Sequence, residues 1–231
     1  MVYTTPWDNY LVATGVWYYN PDLVTGIVLG YVPIEEYTFF VVQTIATGLW
    51  LLSLIRWLPL PPAGPANNRL RLGFTLALAV PWLGSVALLA SGWAPGTYLG
   101  LILVWALPPV MLQTAFGGDL LWRYRRIVAL GILVPTLYLG AADSLAIDAG
   151  TWTIAPEQSL EWFVAGVLPL EELIFFLMTN TLVVFGMTLF LACESRVRAR
   201  SLMERLPWLH HHEDACEDAL PSRSSPSMEG M

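Results

Sequence analysis

The sequence predicts an all-α protein: a polytopic transmembrane helical bundle built from two parallel repeats, with about five complete spans and an N-terminal fragment. Three observations predict it. Hydrophobic residues make up 56% of the 231-residue chain and charged residues only 13%, against roughly 25% charged in an average soluble domain. The stretch from Leu72 to Gly118 carries no charge at all. Motifs of the N-terminal part return later in the same order. A soluble domain of this composition would expose too much apolar surface, and a disordered chain would be far more polar. Net charge is −7, much of it in the tail from Pro207 to Met231, where Glu213, Asp214, Glu217, Asp218 and Glu229 face only Arg223. All 11 basic residues are Arg, and no basic field exists to bind nucleic acid.

The spans follow in chain order. The first is read over 34–57, opening at a proline–glutamate motif. Trp93-Ala-Pro-Gly96 breaks the uncharged stretch into spans near 72–93 and 98–122. A fourth runs from about Ile127 to Ala146. The last, 162–192, opens at a second proline–glutamate motif and is read as one long span broken at Pro169. Arg56, Arg69 and Arg71 follow the first span, Arg123, Arg125 and Arg126 the third, and Arg196, Arg198, Arg200 and Arg205 the fifth, while 1–33, 94–97 and 147–161 hold no Arg. Under the positive-inside rule the N-terminus is outside or lumenal and the C-terminus cytoplasmic. The organisation read from this is a first, incomplete repeat over 1–58, connecting spans and a second repeat over 59–206, and a disordered cytoplasmic tail over 207–231. No signal peptide is visible, since no charged n-region leads into a continuous apolar run. His210, His211 and His212 read as a solvated run rather than a metal site. Cys193 and Cys216 form neither a disulfide framework nor a metal pattern.

The internal repeat is sharp. Asp8, Gly15, Trp17 and Pro21 recur as Asp143, Gly150, Trp152 and Pro156, at an offset of 135. After one inserted residue, Gly30, Pro33, Glu35, Glu36, Phe39 and Phe40 recur as Gly166, Pro169, Glu171, Glu172, Phe175 and Phe176, at 136. Both P-x-E-E-x-x-F-F segments open spans running from outside to inside, so the repeats are parallel, and sites often form where such halves meet. Asp143 follows a full span, whereas Asp8 follows almost nothing; the first copy is expected to lack the helix before Asp8.

The carboxylates carry the chemical signal. An ionised carboxylate within a bilayer costs several kcal/mol and is usually functional. Read as one helix, 162–192 places Glu171 about ten residues deep, roughly 15 Å along. Adjacent glutamates with little water do not both ionise, so a neutral acid able to donate a proton can sit beside a carboxylate able to accept one. Glu35, Phe39 and Gln43 share a helical face, as do Glu171, Phe175 and Thr179, so each acid has an aromatic ring one turn away, and aromatic faces stabilise cations. The plainer readings are a glutamate pair favouring a helix N-terminus, an interfacial belt or packing role for Trp17, Trp152 and the four phenylalanines, loop or cap roles for Asp8 and Asp143, and a simple turn at Asp119. No dinucleotide fingerprint, P-loop, zinc-protease or serine-hydrolase motif occurs, and no aspartate-rich pair is present to hold magnesium and diphosphate. Acid–base chemistry on an apolar substrate survives these exclusions.

Pro6-Trp7-Asp8-Asn9-Tyr10, Gly30-Tyr31-Val32-Pro33-Ile34-Glu35-Glu36-Tyr37-Thr38-Phe39-Phe40, Ala149-Gly150-Thr151-Trp152 and Leu168-Pro169-Leu170-Glu171-Glu172-Leu173-Ile174-Phe175-Phe176 resemble the membrane-integral lycopene β-cyclases. These include heterodimeric bacterial, fused archaeal and fungal bifunctional forms, and the W-D-N-Y and G-Y-V-P-x-E-E-Y phrasing is closest to the fungal cyclase region. The resemblance runs from about Thr5 to Ala192. It implies closure of the linear ends of lycopene into β-rings, through γ-carotene to β-carotene, without net redox change and without a cofactor or metal. It implies Glu35, Glu36, Glu171 and Glu172 as acid and base candidates and Asp8 and Asp143 as secondary acids or orienting groups. Phe39, Phe40, Phe175 and Phe176 would line the cation's path, with Trp17 and Trp152 also against the substrate. Glu35 and Glu171 are taken as the inward-facing members of their pairs. Implied partners are lycopene and other carotenoids, the lipid bilayer, and a phytoene synthase domain or other carotenoid enzymes. Fused relatives carry further spans ahead of the first motif, so the N-terminal spans are expected to be missing here. Alternatives left open are a one-end cyclase, an ε-cyclase or a hydratase, and, from other classes, a proton-coupled transporter or a non-catalytic carotenoid or lipid binder.

Overall fold

The computed structural model describes residues 2–203; the expected tail of 207–231, with His210–His212 and Cys216, lies outside the described residues. The chain divides into a unit of Met1–Ser195 and a second unit from Arg196 onward. In order come α1 (Thr4–Ala13), β1 (Trp17–Tyr19), β2 (Val28–Leu29), β3 (Val32–Pro33), α2 (Ile34–Trp57), α3 (Asn68–Ala90), α4 (Thr97–Arg123), α5 (Arg125–Asp148), β4 (Trp152–Ile154), β5 (Phe163–Val164), β6 (Leu168–Pro169), α6 (Leu170–Leu191) and α7 (Cys193–Met203). The architecture is an all-α bundle with three small two-stranded pieces. Among the described residues, five helices, α2 to α6, are long and apolar enough to cross a membrane.

Three helix starts have a local cause. Pro33 and Pro169 stand at the N-caps of α2 and α6. Proline lacks the N–H that a first turn leaves unpaired anyway and holds φ near the helical value. Glu35 and Glu36, and likewise Glu171 and Glu172, fill the first turns, and Arg56 closes α2, each charge set against the helix dipole. The Asn67 side chain caps α3 by accepting from the Leu70 N–H at 3.1 Å. Asp119 accepts from the Asn67 N–H at 3.0 Å, so it ties the start of α3 to α4. Gly117 breaks the helical geometry of α4. A methyl of Leu189 packs where its Cβ would stand, so a larger residue there requires Leu189 to move.

One expectation fails here. The segment 162–192 is not a broken helix with Glu171 deep inside. Residues 163–169 form the β5–β6 hairpin, turned by Ala165 and Gly166 at positive φ, and α6 begins only at Leu170. The extended backbone that Pro169 imposes ends a strand rather than kinking a helix. Glu171 therefore lies in a first turn, like Glu35 in α2, which follows the equivalent β2–β3 hairpin. The span reading is otherwise close, and a short 3₁₀ turn at Ala94–Gly96 separates α3 from α4. Residues 1–33 are not all loop, because Asp8 sits within α1.

Within Met1–Ser195, α6 packs against α4, α5 and α2, while α3 rests mainly on α4. α3 is apolar yet buries little more than Ser85. A helix apolar all round belongs in a core or in hydrocarbon. Two cores result. One is aromatic, with Trp7, Trp17, Phe40, Tyr98, Trp105, Phe175 and Phe176. The other is aliphatic, around Leu51, Leu120, Ile132, Val184 and Leu189. Between them runs a buried polar network. Asn180 Oδ1 accepts from Thr47 at 2.7 Å, and its Nδ2 donates to Thr136 at 3.1 Å. Gln43 donates to Thr179 at 2.6 Å. The network joins α2, α5 and α6 below the helix starts where the carboxylates cluster.

Candidate active site

The starts of α2 and α6, the end of α5, and the strands β1 and β4 enclose a cavity of about 360 Å³. β1 and β4 pair antiparallel, with Tyr18 opposite Thr153, which are themselves a sequence-matched pair at offset 135. The lining is apolar and aromatic apart from carboxyl groups: Trp17, Tyr19, Phe39, Tyr138, Trp152, Phe175 and Phe176 with Glu35, Glu36, Asp143 and Glu172. No lining residue is basic.

The two glutamates of each pair part ways. Glu35 Oε1 accepts from the Thr25 backbone N–H at 2.5 Å. Glu171 Oε1 accepts from the Leu160 N–H at 2.6 Å and the Ser159 hydroxyl at 3.0 Å. Both therefore turn back to hold the loop ahead of their hairpin. This departs from the expected inward phase: Glu35 reaches the lining while bonded to its loop, Glu171 lies off it, and Glu36 and Glu172 are the members turned to the other acids. Glu36 meets the charges of Asp8 and Asp143, and Glu172 those of Asp143, Glu36 and Glu171. Consecutive residues of a helix point about 100° apart, so one of each pair can serve the loop while its neighbour serves the cavity.

Glu172 Oε1 accepts from the Tyr98 hydroxyl at 2.7 Å, and Tyr98 is fully buried on α4. Asp8 is 0% exposed, and neither of its carboxyl oxygens has a hydrogen-bond partner. Burial pushes its pKa up to about 7. The Tyr19 hydroxyl is held well above its ordinary value by burial, reinforced by the charges of Glu36, Asp8 and Glu172. Asp143 lies against Trp152.

The phenylalanines form a four-ring cluster of near two-fold regularity. Phe39 to Phe40 and Phe175 to Phe176 are 5.7 and 5.5 Å apart, and the cross pairs Phe39–Phe176 and Phe40–Phe175 are both 6.0 Å. Phe39, Phe175 and Phe176 line the cavity with Trp17 and Trp152, while Phe40 packs behind them. Of the acids, Glu36, Asp143 and Glu172 come together on the lining, Asp8 lies behind it within reach of Glu36, Glu35 reaches the lining while bonded to its loop, and Glu171 is bonded to a loop off it.

Three contributors escaped the sequence reading. Tyr98 belongs to the unrepeated α4, so no internal match marks it. Asn9 stands inside the W-D-N-Y motif, and it accepts from the Tyr31 N–H at 2.8 Å and donates to Tyr37 at 2.9 Å. It thereby pins the β2–β3 hairpin to α1. Asn180, a lone amide in an apolar span, was the available signal for the network, since such groups are costly unless partnered.

No protein-family model and no solved structure matches the chain. Curated relatives do. A lycopene beta-cyclase of Halobacterium salinarum is 45% identical over 191 residues, covering 81% of this chain and 77% of the relative. A bifunctional lycopene cyclase/phytoene synthase of Podospora anserina is 41% identical over 197 residues, covering 81% of this chain and 33% of its own. One from Aspergillus oryzae is 35% identical over 190 residues, with 81% and 32% covered. The chain thus spans about a third of the fungal bifunctional relatives it matches.

Proposed function

Because the chain belongs to the lycopene β-cyclase family, we propose that it closes the linear ends of lycopene into β-rings by acid–base chemistry, through γ-carotene to β-carotene. One observation carries this reading: Glu36, Asp143 and Glu172 converge on a cavity walled mainly by aromatic and aliphatic side chains, with no cation on its lining. Four neighbouring carboxyl groups without a cation, counting Asp8, hold at least one proton among them at neutral pH. That proton is the reagent. A carboxylic acid delivers it to the terminal alkene, forming a C–H bond and a tertiary cation. The inner alkene attacks the cation and closes the ring C–C bond. A carboxylate then takes a proton from the ring carbon, restoring an alkene. Atoms and electrons balance, and the product is an isomer of the substrate.

Roles follow from the partners. Glu172, held by the Tyr98 hydroxyl, and Glu36, backed by Asp8, are the two carboxyl groups that give and take the proton. Asp143 stands between the two sets. The rings of Phe39, Phe175, Phe176, Trp17 and Trp152 present faces to the transient cation, an attraction worth about 2 kcal/mol or more when desolvated. Glu35 and Glu171 shape the cavity by fixing its loops. The near two-fold arrangement of sequence-matched groups supports a site made where two parallel halves meet.

We also infer placement in a lipid bilayer with the carboxylate end outside or lumenal. The arginines Arg56, Arg69, Arg71, Arg123, Arg125 and Arg126 collect at the opposite helix ends, as the positive-inside rule requires of a cytoplasmic face.

The experiment is expression in a bacterium that accumulates lycopene, followed by pigment chromatography. β-Carotene from this chain, and none from its Glu36→Gln and Glu172→Gln variants, is the expected result. Monocyclic product alone would make it a one-end enzyme, and ε-rings or hydroxylated ends would reassign the quenching step. Unchanged lycopene with the protein present in the membrane would sink the proposal.

A further inference from the structure

The cavity is open on one side only in the sequence-matched sense. Val42 on α2 and Tyr138 and Ala142 on α5 line it, yet all three are exposed, Val42 at 58% and Tyr138 at 72%. The cavity therefore reaches the outer surface of the bundle between α2 and α5. Around that opening the surface is apolar, with Val41, Ile45, Val134 and Leu137 all exposed. At these depths of two candidate spans, the surrounding phase is acyl chain rather than water.

The equivalent position on the other half is closed. At offset 135, Tyr138 and Ala142 correspond to Tyr3 and Trp7. Trp7 stacks on Trp105 at 4.6 Å and on Phe175 at 5.7 Å, and Tyr3 stacks on Trp105 at 5.7 Å. Hydrogen bonds from Trp7 Nε1 to Leu101 O at 3.1 Å and from Tyr3 to Trp105 O at 2.7 Å lock this plug to α4. An indole fills on one half the space that an alanine methyl leaves open on the other.

Size completes the argument. Some 360 Å³ lies at the low end of the roughly 300–1,000 Å³ that encloses drug-sized ligands. It holds one end group of a tetraterpene, not the molecule. Resting on the cyclase reading, we propose that the substrate enters sideways from the bilayer, end first, through a portal bounded by Val42, Tyr138 and Ala142. The rest of the polyene stays outside along the α2–α5 groove. Because the acids serve a single cavity reached through this portal, the two ends of a symmetric substrate are cyclised in two separate visits, and the half-finished monocyclic carotenoid is released between them.

Two measurements test this in membranes holding the full chain. Ala142→Trp, which copies the plug of the other half, and Val42→Trp are each expected to slow lycopene consumption by about tenfold or more, with protein levels unchanged. Leu83→Trp, exposed on α3, a helix that contributes no lining residue, is expected to run at the parent rate. Both portal variants keeping pace with the parent would overturn the portal. Secondly, labelled lycopene is supplied to the parent chain and chased with excess unlabelled lycopene. Label trapped as monocyclic product is expected. Label passing to bicyclic product undiluted by the chase would overturn the two-visit scheme, and this arm needs no variant to fold. Failure of the parent chain to cyclise lycopene at all would instead sink the underlying reading.

Discussion

At the residue scale, two neighbouring glutamates in one motif have different employments. Glu171 holds Leu160 and Ser159, while Glu172 is held by Tyr98. Glu172→Gln is expected to lower turnover by about 10²–10⁴-fold, the usual contribution of a positioned acid or base, with little loss of protein. Tyr98→Phe should lower it less and shift the pH–rate profile, because Glu172 loses its donor. Glu171→Gln should act first on stability, by about 1–3 kcal/mol for disturbed buried acceptors, read as a lower Tm in detergent. Loss of activity in Glu171→Gln at full stability, with Glu172→Gln active, would reverse the assignment. Asp8 adds a pH dependence. Its folded pKa of about 7 exceeds the ordinary carboxylate value, so between about 4 and 7 the folded chain keeps a proton that the unfolded chain gives up. The stability from neutral Asp8 is complete below about 4 and is lost as pH rises through 7, by up to about 4 kcal/mol. A Tm series from pH 4 to 8 should fall less steeply in Asp8→Asn than in the parent chain; parallel slopes would refute the buried neutral acid.

At the scale of elements, the hairpins and the polar network set the site. β2–β3 and β5–β6 bring α2 and α6 in with their first turns, and the acids, facing a common space. The periodic apolar run of 162–192 concealed this, since a short buried hairpin and a buried helical turn carry the same hydrophobicity. Pro169 was visible, but its choice between kinking a helix and ending a strand depends on the partner strand Phe163–Val164. Asn180 ties α6 to Thr47 on α2 and Thr136 on α5. Asn180→Leu would leave those hydroxyls without their amide partner. It is expected to cost about 1–3 kcal/mol per stranded group, seen as a drop in detergent Tm, and to loosen the floor of the cavity. A Tm equal to the parent's would show that the network contributes no stability.

At the scale of the whole molecule, within Met1–Ser195 the cavity's carboxylates gather at one end of the bundle and Arg56, Arg69, Arg71, Arg123, Arg125 and Arg126 at the other, so orientation becomes testable. In a chain carrying Thr153→Cys as its only cysteine, with Cys193 and Cys216 changed to Ser, a membrane-impermeant maleimide should label intact cells. A chain keeping Cys193 alone, which is exposed, should label only after permeabilisation. The opposite pattern would invert the proposed topology. Much was legible in the chain itself. Its composition, the charge-free run of 72–118 and the placement of its arginines determined a helical bundle of apolar spans, because hydrocarbon admits few other backbones. The paired P-x-E-E-x-x-F-F motifs determined which residue types meet. Only the tertiary structure decided which glutamate of each pair turns inward, that Tyr98 from the unrepeated α4 holds Glu172, and that Trp7 closes on one half what Ala142 leaves open on the other. The physical reason is the same in each case. Hydropathy and spacing report how much a residue dislikes water and which helical face it shares. The direction of a side chain at a helix start, and the partner waiting there, are set by segments distant in sequence.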